Sequence, residues 1–450
     1  MNTSSSNTLV YAGTFVASFV GLVVFTGGIR KNAFRVLQAY KAFRIWYLRM
    51  TGGRTEQSET EKRIISGKAW EDWCDALKAA GAAMVAPGCP QDPFNQAEGY
   101  RYLSRLVRAS LEAFMECNDP SCPKLVCLAS GLRDCPVKLG ADNPDNFYQH
   151  AQLDSRERYI LKGKKNTVNY LGFGTQAGSY GQPGGLATVM YIEVKDLKYL
   201  KPDGSFEILI SADPPKQEEK IDWLQLYAPP KGPIRAMVIV RQTFLDRANE
   251  IPADLDLKRI SGPHEPSYFS CEQLDDALNT SGMFVAAAPM MFARWCKDFQ
   301  KHTNALPLFD QETSNRVGGD PNIRYYHSYW SLPNDDDCLI IEAIPPECEH
   351  WNFQLNNHWM ESLDYRYFTV HVNKHTANYH PQSGAVRVIV AHKDPEKDCS
   401  EEELNKIRPF NWINTCNHRQ GQMLWRWVKP NCSDDKLPHP RCSVIRLPFN

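Results

Sequence analysis

The last quarter of the chain, from Trp351 to Trp427, holds its densest collection of side chains able to do chemistry. His392 and Asp394 sit at the exit of an apolar run, and His418 follows a later loop. Two imidazoles and one carboxylate are a donor set that holds a divalent metal while leaving coordination positions open. The competing reading is plain structure: Asp394 before Pro395 is an ordinary turn former, and His418 beside Arg419 a loop hydrogen-bonding group. A second constellation joins Glu361 and Asp364 to Trp351, Asn352, Asn357, His358 and Trp359. Paired carboxylates beside indole faces suit carbohydrate chemistry, one acid protonating the leaving oxygen while the other serves as base or nucleophile. Close together and near Arg366, they equally suit capping or salt bridging. These residue types give His358, Glu361, His392, Asp394, His418 and Arg419 as the expected catalytic groups. The expected ligand contacts are Trp351, Asn352, Asn357, Trp359, Arg366 and Trp412. The expected metal ligands are His392, Asp394 and His418, and a divalent metal is the one cofactor they suggest. Arg366, Arg387, Arg419 and Arg426 would bind an anionic head group if strand alternation brought them together. His371 and His375 read as structural, and Asp335, Asp336 and Asp337 as a solvated hairpin tip rather than a calcium site.

The elements that must position these groups are mostly strands. Segments 323–332, 338–344, 351–355, 365–372, 385–392 and 422–428 are β-patterned, with no helix expected between them, which predicts an antiparallel sandwich or jelly roll over 303–450. A first β domain is expected over 141–269, from strands at 159–175, 186–194, 206–212 and 234–244. Between the two, Ser270 is a good N-cap for a bridging helix over 270–302 whose buried side carries Phe284, Met291, Trp295 and Phe299. Residues 67–140 carry two helical apolar faces, one through Trp70, Trp73, Cys74, Leu77, Ala80 and Met84, the other through Tyr100, Leu103, Leu106, Val107, Leu111 and Phe114. The run Gly172-Phe-Gly174-Thr-Gln-Ala177 fits a dinucleotide fingerprint, but the glycine-rich stretch after it cannot propagate the helix that pyrophosphate binding needs. It reads as a loop between strands. No P-loop, nucleophile elbow or HExxH motif occurs.

Composition excludes one class of partner. With 51 basic against 52 acidic residues in 450, the chain has no global electrostatic attraction for nucleic acid. Aromatics at 11%, with 30 Pro and 27 Gly, fit a turn-rich, largely β protein, α+β overall once the helices are added. Residues 8–29 are uncharged and long enough to cross a bilayer, and without a basic stretch before them they read as an anchor rather than a cleaved signal peptide. The basic residues that follow put the large domain in the cytosol under the positive-inside rule, so a single-pass endomembrane location, such as the endoplasmic reticulum, is expected. Within 30–66, Phe34, Leu37, Tyr40, Phe43 and Trp46 recur at helical spacing among Arg and Lys, as in a helix lying on anionic head groups; a helix docked on the globular part is the alternative. The 14 cysteines pull the other way, because disulfides would require a lumenal domain; Cys432 and Cys442 bracket a proline-rich tail, and Cys117, Cys122, Cys127 and Cys135 lack the paired spacing of a zinc site.

The sequences WNFQLNNHWMESLDYRYFTVHVN, RVIVAHKDP, NWINT and HRQGQMLWRW resemble the domain of unknown function 1214. The stretches NPDNFYQHAQLD and YILKGKKNTVNYLGFGTQAGSYG are similar to the domain of unknown function 1254 that precedes it in many bacterial members. The resemblance covers about residues 140–430. It implies a β-rich, jelly-roll-like fold and little about mechanism. The anchor and the acidic insertion DPEKDCSEEELNKIRPF depart from the family pattern. Two functional classes follow: a membrane-anchored enzyme acting on a lipid-derived or small hydrophobic substrate at a strand-end site in the C-terminal β domain, or a non-catalytic module holding a lipid or glycan at the same groups. A catalytic site requires a metal, or a carboxyl or imidazole with a shifted pKa in a cleft; a binding module requires neither.

Overall fold

Two eight-stranded lobes follow one another along the chain, and they repeat the same strand order. In the computed structural model, residues 28–51, 58–127, 137–180, 187–316 and 319–447 are described. Two compact units divide the chain, Met1–Ala69 and Trp70–Asn450. The first contains helix α1 (Gly28–Thr51) and helix α2 (Glu59–Ser66), which is closed by a Ser58–Glu61 capping box and by Gly67 at φ +73°. Nearly all of the anchor expected at 8–29 lies outside the described residues. Among those described, no helix is long and apolar enough to cross a membrane.

Helix α3 (Lys68–Ala80) begins in the last residues of the first unit and continues into the second, where α4 (Pro93–Leu111), capped by Asp92, follows. The first lobe then runs β1 (Asn146–Asp154), β2 (Tyr159–Lys164), β3 (Tyr170–Ala177), β4 (Ala187–Glu193), β5 (Ser205–Ser211), β6 (Asp222–Gln225), β7 (Arg235–Thr243) and β8 (Asp254–Arg259). Helix α5 (Cys271–Phe299), held at its start by a Ser270–Gln273 capping box, and the short α6 (Gln311–Arg316) connect the lobes. The second lobe is β9 (Ile323–Ser331), β10 (Asp337–Ala343), β11 (Cys348–Leu355), β12 (His371–Asn373), β13 (Val386–Ala391), β14 (Asn411–Asn414), β15 (Gln420–Pro430) and β16 (Arg441–Arg446).

In the first lobe the sheets are β1-β7-β3-β4 and β6-β5-β2-β8; in the second they are β9-β15-β11-β12 and β14-β13-β10-β16. Counting strands from the start of each lobe, the two orders are identical. Even the exception to antiparallel pairing recurs, since β5–β6 and β13–β14 are both parallel. Alternation along each strand sends one set of side chains into the core of its own lobe. In the first lobe that core holds Phe173, Phe206, Ile208, Val238 and Val240. In the second it holds Trp351, Phe353, Trp425, Trp427, Ile341 and Val390, with Trp351 and Trp425 stacked at 5.2 Å. Each fully buried side chain of this size contributes roughly 1.5–3 kcal/mol relative to exposure. A third core joins α4 and α5 through Tyr102, Leu106, Phe284, Phe292 and Trp359.

Three local expectations are corrected. The strand expected over 365–372 pairs only from His371, because Asp364 accepts the backbone N–H groups of Tyr367 and Phe368 in a turn and leaves their rings exposed. The acidic insertion, expected as irregular chain, holds α7 (Pro395–Asp398) and α8 (Glu401–Ile407), the latter nucleated by a Ser400–Glu403 capping box. The glycine-rich run over 172–177 is strand β3 rather than loop. Cys432 and Cys442 are free thiols, as are Cys117 and Cys122; Cys135 lies outside the described residues.

Candidate ligand-binding face between the two lobes

The strands that fill each lobe's core have a second face, and on β1-β7-β3-β4 and β9-β15-β11-β12 that face is polar and aromatic. Register makes the two faces correspond. Tyr148 on β1 stands opposite Arg241 on β7, and His150 opposite Ile239. Tyr325 on β9 stands opposite Arg426 on β15, and His327 opposite Leu424. Each lobe therefore presents the same four groups: a tyrosine paired with an arginine and, one row along, a histidine paired with an aliphatic residue.

The faces meet, and hydrogen bonds cross between them. Asp145, just before β1, accepts from Nε2 of His350 (3.3 Å) and His371 (3.1 Å) and from the amides of Asn352 and Asn373 (2.9 Å each), all on β11 and β12. Burial would raise its carboxyl, but His371 and His350 beside it hold it far below the usual carboxylate range. In the reciprocal direction Asp320, just before β9, accepts from the Tyr170 hydroxyl on β3 at 3.1 Å. At one edge Glu193 of β4 pairs with Lys429 of β15 and with Lys195, which also reaches Glu349 at 2.5 Å.

Between these seams the walls are only half closed. Tyr148, Tyr191, Arg241, Tyr325 and His327 each keep part of their surface accessible, yet their polar heads are strongly desolvated. Partial accessibility together with desolvation marks these groups as a half-buried polar face between the lobes. Burial raises the hydroxyls of Tyr148 and Tyr191 and pushes Tyr325 up to about 12. It pushes His150 down to about 4 and, helped by the Arg426 charge, His327 down to about 3. At neutral pH this face thus presents neutral Tyr148, Tyr191 and Tyr325, neutral His150 and His327, and the guanidinium groups of Arg241 and Arg426.

The two arginines differ. Burial pulls Arg241 down, but Tyr191 and Asp320 more than offset it and leave the guanidinium above its ordinary value. Its Cζ lies 5.9 Å from the centre of the Tyr191 ring. Gly172 and Gly174 make room for that ring: a Cβ at Gly172 would stand 1.9 Å from the Tyr191 hydroxyl, and one at Gly174 3.2 Å from its ring. Arg426 is 4% exposed, and burial lowers its pKa. It donates to Asn352 Oδ1 (3.3 Å), Gln354 Oε1 and the Ala141 carbonyl (2.7 Å), all neutral acceptors. Asp145 and Asp142 raise its pKa through space, but less than burial lowers it. A buried cation without a carboxylate against it is costly to maintain, and its charge is available to an anion at this face.

Of the residues singled out from the sequence, Asn352 and Arg426 belong to this face; most of the rest are held elsewhere. Trp351 points into the opposite core with its indole N–H on Tyr379. Trp359 is buried in the helical core and donates to the Asn95 carbonyl at 2.9 Å. Both are thereby corrected as ligand contacts. Asn357 organises a buried turn, accepting from the Trp359 and Glu361 backbones and donating to the Glu361 carboxylate. Glu361 is paired with Arg105 at 2.5 Å, although burial raises its pKa overall. Asp364 is spent on Arg366 at 2.8 Å, so the paired-carboxylate reading fails on geometry: each acid has its own arginine. His358 bonds Tyr329 at 2.9 Å through Nδ1, and burial lowers it to about 4. The Trp412 indole donates to the Ala391 carbonyl.

The metal expectation finds no support. His392 uses both ring nitrogens, on Thr415 and on the Leu332 carbonyl at 2.8 Å each; Asp394 caps α7; His418 turns Nδ1 to the Thr415 and Cys416 carbonyls. Among the described residues no group of three or more His, Cys, Asp or Glu side chains is placed to hold a metal ion. Arg419 is exposed and paired with Asp335 at 2.7 Å, and Arg387 with Glu342, so the four arginines do not converge. Sequence reasoning missed Tyr148, His150, Arg241, Tyr325 and His327. The signal for four of these five was an internal repeat: Asn143-Pro-Asp145-Asn-Phe-Tyr148-Gln-His150 returns as Asp320-Pro-Asn322-Ile-Arg-Tyr325-Tyr-His327.

No protein-family model matches the chain, and no curated protein matches it. Among solved structures, an uncharacterised protein from Burkholderia cenocepacia is similar at 40% identity and a TM-score of 0.76, over 86% of this chain and 98% of that one. A protein from Vibrio parahaemolyticus is similar over 82% of this chain and 100% of its own, at 11% identity and a TM-score of 0.43, a likeness too slight to transfer even the fold.

Proposed function

We propose that this chain, which belongs to the same protein family as the uncharacterised Burkholderia cenocepacia protein, binds a small organic anion at the polar face between its two lobes. The observation that carries this reading is Arg426, a buried guanidinium whose hydrogen-bond partners are all neutral. Tyr148 and Tyr325 flank it as neutral hydroxyl donors, while Ile239 and Leu424, one row away, are themselves buried. A guanidinium among neutral donors suits a small carboxylate, such as a lipid-derived acid. Tyr148, Tyr325, His150 and His327 have pKa values pushed away from pH 7 and keep one protonation state through the physiological range. That favours recognition over proton transfer, and so a binding module over an enzyme. A glycan is disfavoured because Trp351 and Trp359 have no exposed face to stack on a sugar.

In this reading each pair of sheets is a β-sandwich of jelly-roll type, and the chain is assigned to the domain of unknown function 1214 on its motifs. Residues 8–29 anchor it to an endomembrane with the lobes cytosolic, where an acid partitioning into the bilayer is within reach. Thermal unfolding of the full chain with benzoate, inorganic phosphate and neutral benzamide tests the binding claim. Benzoate is expected to raise the midpoint in a dose-dependent way and benzamide not, with the shift lost in Arg426→Gln and reduced in Tyr325→Phe. Equal shifts with benzoate and benzamide, or an undiminished shift in both variants, would overturn it.

A further inference from the structure

Helix α1 carries a stripe that its own unit leaves uncovered. Val36, Tyr40, Phe43, Tyr47 and Met50 follow one another at intervals of four and three residues, which places them on one face of an α-helix. All five are exposed, from 44% at Tyr47 to 70% at Met50, and Trp46 beside them is 57% exposed. The rings form a continuous surface: Phe43 lies 5.9 Å from Trp46 and 6.4 Å from Tyr47, and the Arg44 guanidinium sits 5.5 Å from the centre of the Tyr47 ring. By helical geometry Lys41 lies on the far side of α1 from the stripe, and Arg44 at its edge, where its guanidinium covers the Tyr47 ring. Across Gly28–Thr51 the sequence has Arg30, Lys31, Arg35, Lys41, Arg44 and Arg49 and no Asp or Glu.

We infer that α1 lies along the surface of an anionic lipid bilayer, with the Val36–Met50 stripe in the head-group region and its basic residues on acidic lipid head groups. The choice of occupant rests on charge and ring chemistry. Two copies of α1 packed together would set six basic residues against six, because the helix contains no Asp or Glu, whereas an anionic leaflet is complementary to that charge. Tyr and Trp, apolar with one polar atom, suit the interface between water and acyl chain. At 24 residues, α1 is too polar to cross and long enough to lie in the plane. The inference is independent of the face between the lobes and of any ligand there.

Hydrogen exchange of residues 28–51, measured in the full chain, provides the test. The chain is followed alone, with phosphatidylcholine vesicles, and with vesicles that also contain phosphatidylserine. Backbone amides of α1 are expected to exchange several-fold more slowly with phosphatidylserine than with phosphatidylcholine alone, an effect that fades at high salt. Reversing three charges in Arg35→Glu/Lys41→Glu/Arg44→Glu is expected to weaken the phosphatidylserine-dependent protection on the order of 100-fold in lipid concentration. Tyr40→Ser/Phe43→Ser, which keeps the charges, separates the contribution of the stripe. Protection that is the same in both lipids, that survives charge reversal, or that rises with protein concentration in the absence of vesicles would overturn the inference, the last outcome making α1 a self-association helix.

Discussion

The two lobes share strand order, register and the Tyr–Arg and His–aliphatic pairs on their facing sheets, yet the surroundings of those pairs have diverged. In the first lobe the strand beside Arg241 carries Gly172 and Gly174, and the space they leave is taken by the Tyr191 ring. In the second the equivalent strand carries Asn352 and Gln354, whose oxygens accept from Arg426. Asp320 compensates Arg241; Asp145, in the neighbouring position of the other repeat, is instead tied up by two histidines and two asparagines. Acids act on both arginines, Asp320 on Arg241 and Asp145 and Asp142 on Arg426, but only for Arg241 does the balance lie above the ordinary value; burial keeps Arg426 below it.

The comparison can be broken in several ways. The largest effect is expected at Asp145: Asp145→Ala removes the shared acceptor of buried His350, Asn352 and Asn373 and half-buried His371 and is expected to cost about 3–5 kcal/mol in urea unfolding. Asn322→Ala, at the equivalent place in the other repeat, removes a side chain with no hydrogen bond and is expected to change stability by less than about 1 kcal/mol. Equal costs would deny the asymmetry. Next, Gly172→Ala forces the Tyr191 hydroxyl out of its place and is expected to cost roughly 1–3 kcal/mol. Gly384→Ala, where an added Cβ meets nothing but φ is +66°, is expected to cost less, through backbone strain alone.

Acid should act through the histidines. The folded protein holds His150 at about 4 and His327 at about 3, below the value of about 6.5 in an unfolded chain. Between those limits the unfolded state takes up protons that the folded state refuses. Their contribution is therefore present above about pH 6.5 and is lost as pH falls towards 4, at up to about 1.4 kcal/mol per unit for each histidine. Asp145, with a depressed pKa, keeps its contribution until the pH drops below the ordinary carboxylate range. Replacing His327 with Asn is expected to flatten the profile between pH 6.5 and 4, and an unchanged slope would show that the histidine is not desolvated. The smallest effect belongs to Arg419, whose exposed pairing with Asp335 predicts no measurable change in midpoint for Arg419→Ala.

Much of the scaffold was legible in the sequence because alternation and caps are local signals. Ser270 and Gln273 announced α5, and the apolar periodicities of β11, β13 and β15 announced the second lobe. The face between the lobes was not legible in the same way, because its residues come from strands far apart in sequence that are brought together by tertiary pairing. The indoles of Trp351 and Trp359 drew attention as ligand platforms, but one residue of alternation separates Trp351 in the core from Asn352 on the polar face. Gly172 and Gly174 looked like a failed nucleotide motif, and their purpose is steric, visible only once Tyr191 is placed across from them. The repeated Pro-x-x-x-Tyr-x-His pattern was the one sequence-level clue to the site, and it is too short to stand out without the duplicated topology around it.

The most direct measurement is a calorimetric titration of benzoate into the full chain and into its Arg241→Gln and Arg426→Gln variants, with circular dichroism to confirm folding. Loss of binding in Arg426→Gln, with Arg241→Gln retaining affinity to within about tenfold, is the expected result, since Arg426 hydrogen-bonds to neutral acceptors and stays below its ordinary pKa, whereas Tyr191 and Asp320 more than offset the burial of Arg241. Equal loss in both variants, or no binding to the wild-type chain, would contradict the assignment of the anion to the second lobe's arginine.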